Sequence, residues 1–331
     1  MPKRDQASAV ASVGRELASV PHFSVVVPAY NAESTLAETL DAVLAQTFSA
    51  WECVVVDDGS EDGTASVASG YCDSDPRFRL IRQENAGTAG AYNTGVENAA
   101  GNFITICSAD DLLLPDHLAA MYEFIEENPA FDIYSCNGYY LRPDGRRDLV
   151  YTQPQWQARR QISFEEVVTE CFYGVGATYN QELFHRVGGY RAGIYAEDYD
   201  FWVRALAQQA KHCYSPARTT VHRIAASQKS ADGIRALDSA IQILEHVASS
   251  VDLTPAQDAA VVASLTEHRM RLVEARTAVA MHDQAQRVRE VARGVLGRRL
   301  GDQALRLAHH FTWLLRPIRA KRARRRIGRE S

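Results

Sequence analysis

The sequence has little that would commit it to a membrane, to thiolate chemistry or to nucleic acid. No apolar run approaches the roughly 20 residues that cross a bilayer. The amino terminus has no apolar h-region, so no signal peptide is expected. The six cysteines, Cys53, Cys72, Cys107, Cys136, Cys171 and Cys213, are widely spaced and form no Cys-x-x-Cys pair. That pattern argues against disulfides or zinc and for core thiols in a reducing compartment. The formal net charge is −5 over 331 residues, too negative for bulk attraction to nucleic acid. Repeats of fixed period are missing too. These absences together point to a cytoplasmic protein.

A content of 46% hydrophobic and 23% charged residues is ordinary for a chain that buries a normal core. Apolar runs alternate with helical patterns through the first third. Phe23 to Val27, Trp51 to Val56, Phe78 to Ile81 and the run around Ile104 to Ile106 read as buried strands. Helices are expected between them, the first capped by Ser34 or Thr35 and running to about Ala45. This alternation predicts an α/β protein with a mostly parallel central sheet flanked by helices. Further on, a helix is expected over Leu118 to Glu127. A hairpin should turn at Pro143-Asp144-Gly145, and Ser163 to Glu166 form a capping box. A helix should follow Glu197-Asp198, and Cys213-Tyr214 make a last short strand. From about Ile234 only amphipathic helical patterns remain. The expected division is an arm over 1–20, a catalytic-type domain over 21–232 and a helical extension over 233–331.

Two acidic pairs follow strands, Asp57-Asp58 and Asp110-Asp111, so both should face the carboxyl edge where open α/β sheets bind ligands. Adjacent carboxylates repel unless a cation joins them. Mg²⁺ or Mn²⁺ is the simplest partner and usually also holds substrate phosphates. Each feature alone has a plainer reading: a solvated turn with two acids starting a helix for Asp110-Asp111, a turn former for Asp57 and Asp58, a helix start for Glu197-Asp198, a packed aromatic for Tyr30, surface charge for His222-Arg223.

Taken in order, Val27-Pro28-Ala29-Tyr30-Asn31, Gln46-Thr47-Phe48, Val56-Asp57-Asp58-Gly59-Ser60, Ala109-Asp110-Asp111 with Pro115, Val187-Gly188-Gly189-Tyr190 and Glu197-Asp198 resemble family two glycosyltransferases of the GT-A fold. The likeness covers roughly Phe23 to Ser230, and the layout is similar to that of the bacterial spore-coat member. The resemblance implies inverting transfer of a sugar from a nucleotide diphosphate sugar, a UDP-hexose in the first instance, with Mg²⁺ or Mn²⁺. It puts Pro28, Tyr30, Glu33, Asp58, Arg82 and Asp110 on the donor side, with Tyr30 stacking on the base and Asp58 accepting from its edge. It makes Asp110 and Asp111 the metal carboxylates and Asp198 the catalytic base. Glu197 would set the environment of Asp198 on the acceptor side, and the less regular second half of the chain is where acceptor residues are expected, near Trp156, Tyr173 and Tyr179. The acceptor is expected to be a glycan or lipid-linked hydroxyl.

Three positions depart from the family pattern. Ser108 replaces the usual first Asp of the metal motif, as in the spore-coat relative. Tyr92 precedes Asn93 where many relatives carry an Arg, leaving charge neutralisation to residues such as Arg82. Ala225 stands where relatives often carry a His, and His222 precedes Arg223 instead, so the pattern carries over no His metal ligand.

Two other classes compete. A nucleotidyltransferase would share the sheet and the acids, but should have a cationic Gly-rich loop after the first strand, where this chain has Pro28-Ala29-Tyr30-Asn31-Ala32. A non-catalytic nucleotide-sugar binding module would dispense with Asp198 or with both metal carboxylates, and these are present. At the carboxyl end, Phe311, Trp313, Leu314 and Leu315 precede Arg316, Arg319, Lys321, Arg322, Arg324, Arg325, Arg326 and Arg329. Such a tail suits either peripheral contact with the inner face of an anionic membrane or a partner chain.

Overall fold

The structure, a computed structural model, describes residues 21–170, 176–224 and 232–314, with side chains described to residue 287 except that of residue 170. The expected arm over 1–20, Cys171, Tyr173, Ala225 and the basic tail from Leu315 lie outside the described residues. The chain divides into two compact units, Met1–His268 and Arg269–Ser331.

The first unit is built on one sheet. Its strands are β1 (Phe23–Ala29), β2 (Trp51–Asp57), β3 (Phe78–Arg82), β4 (Phe103–Ile106), β5 (Leu112–Leu113), β6 (Ile133–Leu141), β7 (Arg147–Leu149), β8 (Arg160–Ile162), β9 (Thr178–Asn180) and β10 (His212–Arg223). The spatial order is β3-β2-β1-β4-β9-β6-β10-β5, with β7 on β6 and β8 on β10. The first four strands are parallel, as the alternation of strand and helix predicts. The sheet as a whole is mixed, because β9 runs antiparallel to both β4 and β6. It follows that β6 and β10 point the same way as β1 and β4, and all their carboxyl ends reach one edge.

The helices are α1 (Glu33–Leu44), α2 (Thr64–Ser74), α3 (Gly87–Glu97), α4 (His117–Glu127), α5 (Phe164–Glu170), α6 (Gln181–Val187), α7 (Glu197–Ala207), α8 (Gly233–Ser250) and α9 (Pro255–Leu314). Helices cover both faces of the sheet, so β1 and β2 are buried along their full length and read as continuous apolar runs. One core lies against α1 and α4 and contains Val25, Val27, Leu36, Leu40 and Phe124. A second, with Val26, Val96, Ile104, Phe201 and Trp202, lies against α3, α6 and α7. A third joins α5, α7 and α8 through Val167, Val203, Ile243 and Val247.

Local expectations fare differently. The capping box forms reciprocally: Ser163 N–H donates to Glu166 Oε2 at 3.0 Å, and Glu166 N–H donates to Ser163 Oγ at 3.2 Å. The hairpin turns where Gly145 takes φ +81°. The expected cap of α1 does not form: Ala32 holds the N-cap position without a side-chain bond, and Thr35 lies inside the helix. The last strand is far longer than Cys213-Tyr214. Register shifts between Ser215, Arg218 and Thr220 let it pass the polar stretch around Pro216 as a bulge and continue to Arg223.

Candidate active site

The site forms where strand order reverses around β1. β2 and β3 lie to one side and β4 to the other, which leaves a crevice at the carboxyl edge. Asp57 ends β2 and is fully buried. Its Oδ1 accepts from Ser60 N–H at 3.0 Å, and its Oδ2 accepts from Arg82 Nε at 3.1 Å. Asp57 therefore shapes the turn and holds Arg82, whose head remains largely exposed at the edge. Asp58 is buried too. Its Oδ1 accepts from Gln83 Nε2 at 2.7 Å and from Ala86 N–H at 2.8 Å. Pro28 is buried in β1. Tyr30, just past it, is 52% exposed, so it is not the packed aromatic of the plainer reading. Glu33 is tied down by the fold: its Oε2 accepts from Gly63 N–H at 3.0 Å and fastens the turn before α2.

Across the crevice lies a cavity of about 160 Å³. Tyr92, Ser108, Asp111, Tyr140, Tyr190, Asp198, Trp202 and His222 are among its lining residues. Asp111 is 1% exposed. Burial, opposed by His222, leaves its carboxyl above the usual carboxylate range. Its Oδ1 accepts from Arg223 N–H at 3.0 Å, and His222 Nδ1 lies 3.2 Å from its Oδ2. Burial disfavours a charged His222, yet the hydrogen bond and charge of Asp111, with Asp110 and Asp198 behind them, outweigh it and raise the imidazole pKa. Asp110 is half-buried, and its carbonyl accepts from Arg223 Nε at 3.0 Å. Asp198 stands exposed in the first turn of α7, its Oδ1 accepting from Tyr199 N–H at 2.7 Å. Glu197 beside it is buried.

Why α7 begins here follows from the glycines before it. α6 ends on Gly188 at φ +83°, and Gly189 follows at φ +69°. A side chain would be strained at either, and a Cβ on Gly189 would come within 2.9 Å of Asn93 Oδ1. Asn93 instead clamps the next residue: its Nδ2 donates to Tyr190 O at 2.9 Å, and its Oδ1 accepts from Tyr190 N–H at 2.8 Å. Tyr190 is then stacked between Tyr92 at 4.9 Å and Phe201 at 4.6 Å, which makes an aromatic floor beside Asp198. Asp200, fully buried, accepts from Arg191 Nε at 2.9 Å and from Arg204 Nε at 2.8 Å. Arg204 in turn donates to Val187 O at 2.8 Å and Gly189 O at 2.6 Å, which fixes the glycine loop to α7.

Asp111 and Asp198 line the same cavity, and Asp110, which is not in that lining, is near enough to act electrostatically on His222. Trp156 is not at the cavity wall: it is 2% exposed and packs in the third core under Tyr151, which does line the cavity. Tyr179 is fully buried as well. Sequence reasoning missed His222, Tyr92 and Tyr190 as site residues. Reading β10 as two residues long removed His222 from the edge.

Among the described residues no three His, Cys, Asp or Glu are grouped as a metal cage. The donor set still suits a hard cation on one side: a desolvated carboxylate with a second next to it in sequence, at a cavity wall. Such ions commonly take only one or two protein carboxylates, the rest of the shell being water and phosphate.

Residues 24–188 match the model of Glycosyl transferase family 2, and the chain belongs to that family. It has the GT-A fold that the resemblance implied, with a helical carboxyl-terminal part. Among curated proteins it is 33% identical over 176 residues to the uncharacterized glycosyltransferase EpsJ of Bacillus subtilis, covering 50% of each chain. It is 40% identical over 117 residues to the glycosyltransferase GlyA of Streptococcus pneumoniae, covering 35% of this chain and 17% of that one. The chain thus spans half or less of the length of these two relatives. Among solved structures, S. aureus TarS 1-349 in complex with UDP-GlcNAc matches with a TM-score of 0.64 at 19% identity, over 75% of this chain and 72% of that one. The mannosyltransferase PcManGT from Pyrobaculum calidifontis, in complex with GDP-Man and Mn²⁺, matches with a TM-score of 0.60 at 22% identity, over 91% and 82%. No described helix is long and apolar enough to cross a membrane.

Proposed function

We propose that the chain transfers a sugar from a nucleotide diphosphate sugar to a hydroxyl acceptor in one inverting displacement. The observation that carries this is the cavity itself, with Asp198 at a helix start and the Asp111–His222 pair sharing its lining. Tyr30 and Asp58 lie at the β1–β2 end, where they suit a nucleobase, and Arg82 suits the nucleotide's phosphates. Solved relatives of the fold hold UDP-GlcNAc and GDP-Man, which supports a nucleotide-sugar donor without choosing the base.

In the proposed reaction the acceptor oxygen attacks the anomeric carbon and forms the new C–O bond. The bond from that carbon to the diphosphate oxygen breaks, and its electron pair leaves with the nucleoside diphosphate. Asp198 takes the acceptor's proton. The aromatic floor of Tyr92, Tyr190 and Trp202 offers a surface for the sugar ring and keeps water out. Asp110 and Asp111 are the residues to hold Mg²⁺ or Mn²⁺, and that ion when bound would neutralise charge on the leaving diphosphate. Glu197, held next to Asp198, fits the acceptor side, and a glycan or lipid-linked hydroxyl remains the proposed acceptor. A cytoplasmic location, with the basic tail meeting a membrane surface, is part of the same proposal.

A screen of UDP-, GDP- and dTDP-hexoses with Mn²⁺ by differential scanning fluorimetry tests this reading. A donor bound at 100 times its Kd stabilises the fold by about 2.7 kcal/mol, enough for a clear rise in melting temperature. No rise with any donor would count against a nucleotide-sugar site.

A further inference from the structure

Past His268 the second unit consists, among the described residues, of α9 alone. A helix in water gains little from its own hydrogen bonds, and most helices in proteins are stabilised by packing one apolar face. α9 has such a face, and it is uncovered. The chain has no period over its whole length, but within α9 three residues recur at a spacing of 11: Val262, Thr266 and Met270, then Val273, Thr277 and Met281. Such a spacing makes three helical turns with a drift of only about 20°, so the six positions fall within about 100° of arc and form one nearly straight strip. All six are exposed. The apolar ones, Val262, Met270, Val273 and Met281, are between 55% and 64% exposed. Val261, Ser264, His268 and Leu272, which are buried, lie on the opposite side of the helix.

The charges beside the strip say what covers it. Arg269 and Arg276 stand along one flank, Glu267 and Glu274 along the other, and all four are exposed. Arg271 falls further round, away from the strip. A second copy of α9 laid parallel, strip to strip, sets the basic flank of each helix against the acidic flank of the other on both sides of the seam. Arg269 of one copy then faces Glu274 of the second copy, and flanking charges of this kind set the orientation of paired helices. An antiparallel copy would set Arg against Arg and Glu against Glu. An anionic lipid surface would attract one flank and repel the other.

We infer that two copies of this chain associate through α9, parallel and in register, along the strip from Val262 to Met281. That stretch spans roughly 30 Å of helix axis, at about 1.5 Å per residue. An 11-residue spacing also calls for a nearly straight or slightly right-handed pair, not the left-handed coil of a seven-residue repeat. The association stands apart from the transferase reading above, since α9 contributes nothing to the cavity lining.

Light scattering on the full chain after size exclusion, over a range of protein concentrations, reads the assembly directly. Twice the chain mass is expected. The Met270→Glu, Val273→Glu variant puts unpaired charge into the seam and should weaken association by roughly tenfold or more. Its near-UV circular dichroism, which reports the packed aromatics of the first unit, should match the wild type. Glu274→Arg should weaken association too, and adding Arg269→Glu to it should restore association, because the parallel pairs are then exchanged and not lost. Thr277→Cys should give a disulfide-linked dimer under mild oxidation, since in register each Thr277 meets its counterpart, whereas the parent with its own six cysteines should not. A monomer at every concentration, a trimer or larger assembly, association of the Met270→Glu, Val273→Glu variant within about twofold of wild type, or failure of Thr277→Cys to cross-link would overturn the inference. So would a monomeric full chain that sediments with phosphatidylglycerol vesicles and no longer does so in the Met270→Glu, Val273→Glu variant, because the strip would then face lipid.

Discussion

The imidazole of His222 and the carboxylate of Asp111 meet at 3.1 Å, although 111 residues of chain separate them. β10 carries His222 back to the edge where β4 ends, and Arg223 N–H donates to Oδ1 of the same carboxylate. Removing the imidazole leaves a desolvated carboxyl with one partner fewer. His222→Ala should therefore cost about 1–3 kcal/mol of stability. It should also lower donor turnover at least tenfold, as urea unfolding and a nucleoside diphosphate release assay would show. Turnover at the wild-type rate would mean that the pair is only structural.

Asp198 makes the sharpest chemical prediction. Asn at this position keeps the size and can still accept from Tyr199 N–H, but it cannot take a proton. Transfer should fall about 10²–10⁴-fold. Donor affinity by calorimetry and the melting temperature should stay near wild type. An equal loss of donor affinity would assign Asp198 to binding instead.

The Asp200 carboxylate answers two guanidiniums, and Arg204 passes that constraint to the carbonyls of Val187 and Gly189. Asp200→Asn breaks a buried pair on one side only, which typically costs 3–5 kcal/mol. Since the glycine loop positions Tyr190, a fall in transfer rate should accompany the lowered urea midpoint. If the midpoint moved by less than the equivalent of about 1 kcal/mol, the network would be dispensable.

Stability should also depend on pH through His117 and His212. Both are fully buried, and burial holds each imidazole down at about 3 against an ordinary value of 6.5. The unfolded chain therefore takes up protons that the fold refuses. The stability each contributes is present above pH 6.5 and is lost as the pH falls from 6.5 toward 3. At pH 5 the loss is about 2 kcal/mol for each imidazole, from roughly 1.4 kcal/mol per pH unit. Urea midpoints at pH 7.5 and 5.0 read this directly. The His212→Gln variant should show a smaller drop between the two than the wild type does.

The parallel half of the sheet was legible because β1 and β2 are buried on both faces and so read as unbroken apolar runs. Asp110, Asp111 and Asp198 were legible because short motifs at strand and helix ends carry them. β9 was not, since three residues, Thr178–Asn180, give too short a run to show a period. β10 was cut short for a different reason: Ser215, Pro216 and Arg218 look like a loop, and only pairing with β6 through a bulge makes them strand. His222 was lost with it. Trp156 was expected on the acceptor side because it lies in the less regular second half, whereas its ring completes a core with Tyr151 and Tyr214.

The most direct test of the account is release of nucleoside diphosphate from a stabilising nucleotide sugar with Mn²⁺, compared among wild type, Asp111→Asn and Asp198→Asn. Slow hydrolysis without acceptor is enough to read it, and NMR of the fresh product gives its anomeric configuration. The account predicts release by the wild type with inversion, loss of most release in Asp111→Asn, and donor binding with little release in Asp198→Asn. Release at the wild-type rate in both variants, or a product with retained configuration, would contradict it.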